Sequence, residues 1–406
     1  MEAIYERCCG IDVHKKLIVA CFSCGTKHEL RQFGTTTNDL RELTKWLSES
    51  QCQMIAMEST GSFWKPLYNI LELSDLDAIV VNAQHMKAVP GHKTDVKDAE
   101  WICDLLQHGL LKSSYIPDRE QRELREVTRY RKSLVGERSR ELNRLQKMLE
   151  GANIKLSGFV SDINGKSSRR LLEAMISDKI MNEDYVDSLL DPTMHKKLDT
   201  IMPAIDGIMS PLQKQLIRNI IDHIDDMTRR IDDLDKLIND YLSKYEQAIQ
   251  KVDALPGIGI VSARTIIAEI GIDMSRFPTD AHISSWAGLS PGNNESAGKK
   301  KSSKITKGNP ALKTTLVQCA KVAAQQKDTF YAAQYQRIAT RRGKNRATIA
   351  VAHSMLISIY HILKDNECYT ELGSDYYNQF NRERKIKGLL KKLKVLGWDE
   401  KTAQLA

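Results

Sequence analysis

Proline and glycine are scarce in this chain of 406 residues, at 10 and 22, which excludes a collagen-like or low-complexity polymer. Aromatic residues make up only 6%. No apolar run approaches the ~18–20 residues that a membrane span needs. The opening Met1-Glu2-Ala3-Ile4-Tyr5-Glu6-Arg7 lacks the basic-then-apolar layout of a secretory leader. Paired cysteines are few as well. Cys21 and Cys24 form one C-x-x-C, Cys8 and Cys9 are adjacent, and the other four of the eight are scattered. A structural zinc site uses two spaced pairs, so reduced thiols without metal are expected. Together these absences predict a cytoplasmic protein with no membrane partner.

What is present is enough apolar sequence, 41%, for two or three domains. The net charge is +8, and it is concentrated. Residues 296–351 hold nine Lys and four Arg against a single acid, Asp328. Such a block predicts a polyanionic partner, nucleic acid being the commonest.

Periodicity divides the chain into three parts. Residues 1–115 read as α/β. Strands are expected at Cys9–Val13, Leu17–Phe22 and His28–Phe33, then at Met54–Met57 ending on Glu58, and at Ala78–Val81. Helices are expected at Asn38–Leu47, Trp64–Leu71 and Asp95–His108. The pattern predicts a mixed sheet covered by helices. Residues 116–252 read as helical. One helix, Asp118–Glu150, carries eight Arg and two Lys beside an apolar stripe. A second opens on Ser210-Pro211-Leu212-Gln213, a cap signature, and repeats apolar residues at 3-4 spacing from Ile217 to Val252. Five heptads predict a coiled coil, paired either with the first helix folding back or with another subunit. Between them, 151–207 reads as a small helical insertion. Residues 253–406 read as mostly helical, and Leu255-Pro256-Gly257-Ile258-Gly259 suggests a helix-hairpin-helix-like turn. There Gly257 and Gly259 would let backbone N–H groups approach a DNA phosphate.

Four acids are candidates for chemistry. Asp12 and Glu58 sit at strand exits, and Asp95 and Asp98 share a helical face. Oxygen ligands of this kind suit a hard divalent cation acting on phosphodiesters, although a helix-terminal or surface role suits Asp95 and Asp98 equally by spacing alone. Ser296 lies in a Gly/Asn-rich stretch followed by Lys299, Lys300 and Lys301, with Lys304 and Lys307 further on. His282, the nearest imidazole in sequence, has no assigned role.

Three segments resemble the D-E-D-D motifs of the RuvC-like domain in IS-one-ten family transposases: Gly10-Ile11-Asp12-Val13-His14-Lys15, Ala56-Met57-Glu58-Ser59-Thr60-Gly61 and Lys93-Thr94-Asp95-Val96-Lys97-Asp98-Ala99. The resemblance continues through Arg129-Tyr130-Arg131-Lys132-Ser133-Leu134, Leu255–Gly259, Ser285-Trp286-Ala287-Gly288-Leu289, Ser296-Ala297-Gly298-Lys299, Ile305–Asn309 and Glu371–Tyr377. It implies a RuvC-like (RNase H-like) fold for residues 1–115 and a C-terminal transposase domain in 253–406. It further implies Mg²⁺ at Asp12, Glu58, Asp95 and Asp98, and Ser296 as the nucleophile of a phosphoserine intermediate. A bridge RNA is implied as guide, with Arg125, Arg129, Arg131 and Arg138 on the Arg-rich helix as its platform. Donor and target duplexes, and a homodimer assembling to a tetramer, complete the expectation. The alternatives are a metal-dependent junction nuclease, in which Ser296 is incidental, and a non-catalytic nucleic-acid scaffold.

Overall fold

The computed structural model describes residues 3–58, 61–82, 95–291, 294–296, 299–302, 304–380 and 382–396. The chain divides into two compact units, Met1–Arg119 and Glu120–Ala406.

In the first unit, β1 (Arg7–Val13), β2 (Ile18–Cys24) and β3 (Lys27–Phe33) form an antiparallel meander. β4 (Met54–Glu58) then lies parallel to β1, and β5 (Ala78–Val81) parallel to β4, giving the order β3-β2-β1-β4-β5. Parallel neighbours need crossover connections. These are supplied by α1 (Thr37–Glu49) and α2 (Trp64–Glu72). α1 begins at a capping box in which Thr36 and Asp39 satisfy each other's backbone N–H groups. Side-chain alternation sorts the two faces of the sheet. Cys9, Ile11 and Val13 pack with Leu43, Trp46, Leu47, Leu67 and Leu71 of α1 and α2. Cys8, Val19, Cys21 and Ala56 pack with Ala99, Ile102, Cys103 and Leu106 of α3 (Asp95–Gln107) on the opposite face.

The second unit is mostly helical. α4 (Arg119–Gly151) and α8 (Pro211–Leu242) are its longest helices. They run antiparallel. Arg131 pairs with Asp235, and Arg138 donates to Thr228, so seven residues up α4 correspond to seven down α8. Lys244 and Glu120 extend the same register. The apolar repeat of α8 therefore closes on the helix that folds back within the chain. The repeat was expected to remain one helix to Val252, and here the structure differs. α8 ends at Leu242, a 3₁₀ turn spans Ser243–Tyr245, and α9 (Glu246–Asp253) restarts the path. The reason is a change of phase. Leu242 and Ile249 are buried, whereas Tyr241, at the expected seam position, is 46% exposed. α9 packs instead on α10 (Ile260–Ile270).

The insertion forms α5 (Lys166–Ile176), α6 (Glu183–Leu189) and α7 (Leu198–Ile205). They bury Leu171, Leu172, Val186 and Ile201 against Leu145, Leu149, Ile217 and Ile221 at the far end of the α4–α8 pair. After α10 come α11 (Asp280–Trp286), the hairpin β6 (Asn294–Ser296) and β7 (Lys299–Ser302), α12 (Pro310–Ala323), α13 (Phe330–Arg342) and α14 (Lys344–Asp365). α14 is long and apolar enough to cross a membrane by length and composition alone. Its Val351, Ala352, Met355, Leu356 and Ile359 are, however, buried among α11, α12 and α13, the pattern of a core helix. The chain closes with α15 (Tyr376–Phe380) and α16 (Arg382–Val395). The boundary expected after residue 252 falls inside this second unit.

The fold-back makes a testable claim about which residues hold the helical pair. Asp235→Arg sets a second cation against the partly buried Arg131 and is expected to destabilise the second unit by about 1 kcal/mol. Exchanging the pair (Arg131→Asp with Asp235→Arg) should recover most of that loss in urea denaturation. Ile224→Asp, which buries a charge in the seam, should cost about 3–5 kcal/mol.

Candidate active site

The register between β1 and β4 pairs Ile11 with Met57, so Asp12 and Glu58 are the next neighbours across two parallel strands. Both lie on the face covered by α3, because they alternate in phase with Cys8 and with Ala56. Asp12 is 4% exposed and Glu58 half-buried.

α3 reaches this edge because of Gly10. A Cβ at position 10 would stand 2.3 Å from the Cys103 nitrogen and 2.4 Å from the Ala99 oxygen. The helix backbone thus lies directly on the strand. Ile4 donates to the Gln107 oxygen at the opposite end of the helix, so α3 runs antiparallel to β1. Its first residues, Asp95 and Asp98, consequently fall toward the strand end that carries Asp12. Asp98 is half-buried; the side chain of Asp95 lies outside the described residues, as do residues 83–94.

His14 is a functional candidate that the sequence reading left without a role. Its Nε2 is 3.0 Å from Asp12 Oδ2, and the ring is 44% exposed. The signal was available in the i, i+2 alternation of an extended segment, which returns position 14 to the face of position 12. A protonatable ring beside a buried carboxylate can neutralise it or hold its orientation.

The donor set fits a hard divalent cation. It consists of carboxylate oxygens, with none of the soft ligands that select other metals. Among the described residues, Asp12, Glu58 and Asp98 do not close to within 4.8 Å as a trio. Like charges repel at such an edge, and a bound divalent cation would offset that repulsion.

In the second unit, Ser296 is the last residue of β6. The Gly/Asn-rich stretch leads into a strand pair: Ser296 is in register with Lys299 and Glu295 with Lys300, with an irregularity between Asn294 and Glu295. The side chains of Ser296, Lys299, Lys300 and Lys301 lie outside the described residues. A bridge between Pro291 and Ile305 closes the base of the hairpin, and Lys304 and Lys307 are exposed just beyond it. There Gly288, at φ +71°, and Gly308 meet so closely that a Cβ on Gly308 would stand 2.2 Å from the Gly288 nitrogen.

The base is anchored by Glu269 of α10, which is fully buried. Arg129 grips its carboxylate in bidentate fashion, Nε to Oε1 at 2.7 Å and Nη2 to Oε2 at 2.8 Å. Asn309 donates from Nδ2 to Oε2 at 2.6 Å, while its Oδ1 accepts from the Ala311 and Leu312 N–H groups and caps α12. Arg125 donates to the Glu269 carbonyl and lies over the Trp286 ring at 5.4 Å. The bond to Glu269 raises the pKa of Arg129, and burial lowers that of neighbouring Lys132. Sequence reasoning passed over Glu269, although a lone acid within Ile266-Ile267-Ala268-Glu269-Ile270 was a signal of a buried pair.

The four arginines expected to face RNA are therefore engaged within their own unit. Arg125 and Arg129 turn to Glu269, Arg131 grips Asp235, and Arg138 reaches Thr228. Position explains this: residues i and i+4 share one face of α4, and 131 and 138 share another, two turns apart. Gly257, at φ +84°, is likewise filled by its own chain; a Cβ there would stand 2.6 Å from the Cys319 oxygen and the Ala323 nitrogen. Gly259 faces open space at the start of α10.

Two family models match. The one described as a DEDD transposase of the IS110 type covers residues 9–154, and with it all four acids. The one described as the transposase IS116/IS110/IS902 family covers residues 249–336, and with it Ser296. Together they span more than half of the chain. A probable family 20 transposase of Pseudomonas aeruginosa is 23% identical over 78% of this chain and 85% of its own length. The transposase for insertion sequence element IS1111A of Coxiella burnetii is 22% identical over 71% of this chain and 72% of its own.

Two substitutions test the geometry. Gly10→Ala pushes a methyl group into helix backbone and should lift α3 at a cost of about 1–3 kcal/mol, with DNA cleavage falling as the acids separate. Glu269→Gln leaves Arg129 without its counter-charge. It should lower the stability of the second unit by about 3 kcal/mol, near the lower end for breaking a buried pair because Arg129 is half exposed; chemical denaturation measures both.

Proposed function

The chain belongs to the IS110 family of transposases, enzymes that cut and rejoin DNA, and on that premise we propose that it does so through a serine-linked intermediate. The observation that carries the proposal is the placement of Asp12 beside Glu58 at the ends of two parallel strands, under the first turn of α3. We read this arrangement as a RuvC-like, RNase H-like site, with the helix-hairpin-helix-like turn at Leu255–Gly259 as an ancillary DNA contact through Gly259.

In this reading the Ser296 hydroxyl attacks a scissile phosphate. A Ser–O–P bond forms, the P–O bond to one deoxyribose breaks, and the serine proton ends on the departing hydroxyl. A hydroxyl from the other duplex then attacks the phosphoserine, and Ser296 recovers its proton. Asp12, Glu58, Asp95 and Asp98 would hold Mg²⁺, which supplies charge neutralisation at the phosphate. His14 fixes the orientation of Asp12. Lys299, in register with the serine, and Lys300, Lys301, Lys304 and Lys307 hold the DNA backbone.

A bridge RNA is proposed as the guide. A-form RNA is read through its shape and backbone, and Arg140 and Arg144 on α4, each paired with a glutamate one turn before it but 69% and 61% exposed, suit that task better than Arg125, Arg129, Arg131 and Arg138. Exchange between two duplexes involves four strands, hence four serines and a homotetramer built from dimers. The protein acts in the cytoplasm, at the nucleoid.

Ser296→Ala should abolish both cleavage and strand exchange while RNA and DNA binding survive. Asp12→Asn should do the same for cleavage. With nicked DNA that cannot religate, the wild-type chain should form an adduct that survives denaturing electrophoresis and maps to Ser296. Adducts on Ser302 or Ser303 would mean that the nucleophile is misassigned. Metal-dependent cutting that persists in Ser296→Ala, without an adduct, would instead establish the junction nuclease.

A further inference from the structure

Soft ligands also converge in the first unit, further along the same sheet face. Cys21 of β2, His28 of β3 and Cys103 of α3 place their Sγ and ring-nitrogen atoms all within 4.8 Å of one another. Cys21 Sγ lies 3.8 Å from His28 Nδ1, and Cys103 Sγ lies 3.9 Å from the Sγ of Cys8 on β1. The three sulfurs are fully buried, whereas His28 is exposed at the edge of the sheet. All eight cysteines are free thiols.

The Cys21–His28 and Cys103–Cys8 separations resemble edges of a coordination tetrahedron, while Cys8 stands outside the group that Cys21, His28 and Cys103 form within 4.8 Å and must swing toward it to serve as the fourth ligand. With Zn–S near 2.3 Å and Zn–N near 2.0–2.1 Å, ligand atoms stand roughly 3.5–3.8 Å apart. Spacing along the chain concealed the set, because its members come from three strands and a helix rather than from two C-x-x-C pairs.

We propose that Cys8, Cys21, His28 and Cys103 form a structural zinc site that fastens α3 to β1, β2 and β3. Binding sends the thiol protons to solvent and leaves thiolates on the metal. The site holds no position open for substrate, because the three sulfurs lie beneath the helix and His28 closes the exposed side. Its effect on chemistry is indirect: α3 carries Asp95 and Asp98 at its start, and a clip at Cys103 fixes where that start lies.

The test uses the full chain, purified under reducing conditions without added chelator. Elemental analysis should find one zinc per chain. Cobalt(II) substituted for zinc should give thiolate charge-transfer absorption. His28→Ala removes an exposed ligand and spares the core; it should keep the wild-type circular dichroism yet lose zinc to a chromogenic chelator about tenfold more readily or worse. Cys103→Ser should lose the metal and lower the melting temperature of the first unit. The proposal is overturned if the folded, reduced protein carries no zinc and gives no cobalt–thiolate band. It is overturned equally if His28→Ala holds zinc as tightly as the parent chain. Neither outcome bears on the serine chemistry, because both are read without DNA.

Discussion

A carboxylate without water must be answered by its own protein, and Glu269 organises the second unit for that reason. Leaving such a charge unpaired costs several kcal/mol, so the elements around it have little freedom. Arg129 ties it to α4, the peptide of the same residue receives Arg125, and Asn309 ties it to the start of α12. Asn309 is also the residue at which the chain leaves the basic hairpin. One buried acid therefore sets the positions of the long helical pair, the α10 helix and the base from which Ser296 projects. The contact between Gly288 and Gly308 completes that base by letting two backbones meet where any side chain would hold them apart.

The first unit reaches a comparable precision through close backbone packing. Its constraint is the absence of an atom: because Gly10 has no Cβ, α3 lies against β1 and brings its first turn over the strand ends. If this edge is the proposed catalytic site, its acids must be held within about 0.5 Å of a productive geometry, and rigid elements hold them better than loops do. The arrangement combines two short-range facts, a parallel register that sets Asp12 beside Glu58 and a helix crossing that brings Asp98 to the same end.

Much of this could be read from the chain itself, for identifiable reasons. The strands and helices of the first unit announce themselves through alternation and 3-4 spacing, and their order already implied a mixed sheet. The α8 heptads were equally plain. Their partner was not, because an apolar seam records that it must be covered and says nothing of by what; polar pairs such as Arg131–Asp235 and Arg138–Thr228 resolve it. The break at Ser243 was invisible because Tyr241, Tyr245 and Ala248 continue the repeat that the chain abandons in favour of Leu242 and Ile249. Arginines on α4 read as a cationic surface because charge counts do not reveal which guanidinia are already answered from within. His14 and Glu269 were missed for the opposite reason: each is a single residue whose meaning depends on a neighbour.

The helical pair also carries a rule about length. The chain leaves along α4, builds the α5–α7 cluster at the far end and returns along α8, so both roots of the excursion lie in the same body. At about 1.5 Å per residue, the 33 residues of α4 span roughly 50 Å. The antiparallel register means that any residue added to one limb must be matched on the other, and the apolar repeat admits such changes cleanly only in sevens. The reach of this arm is thus quantised: it lengthens or shortens in steps of about 10 Å, each of which moves the helical cluster at its tip while leaving the Arg129–Glu269 pair nearer its root in place.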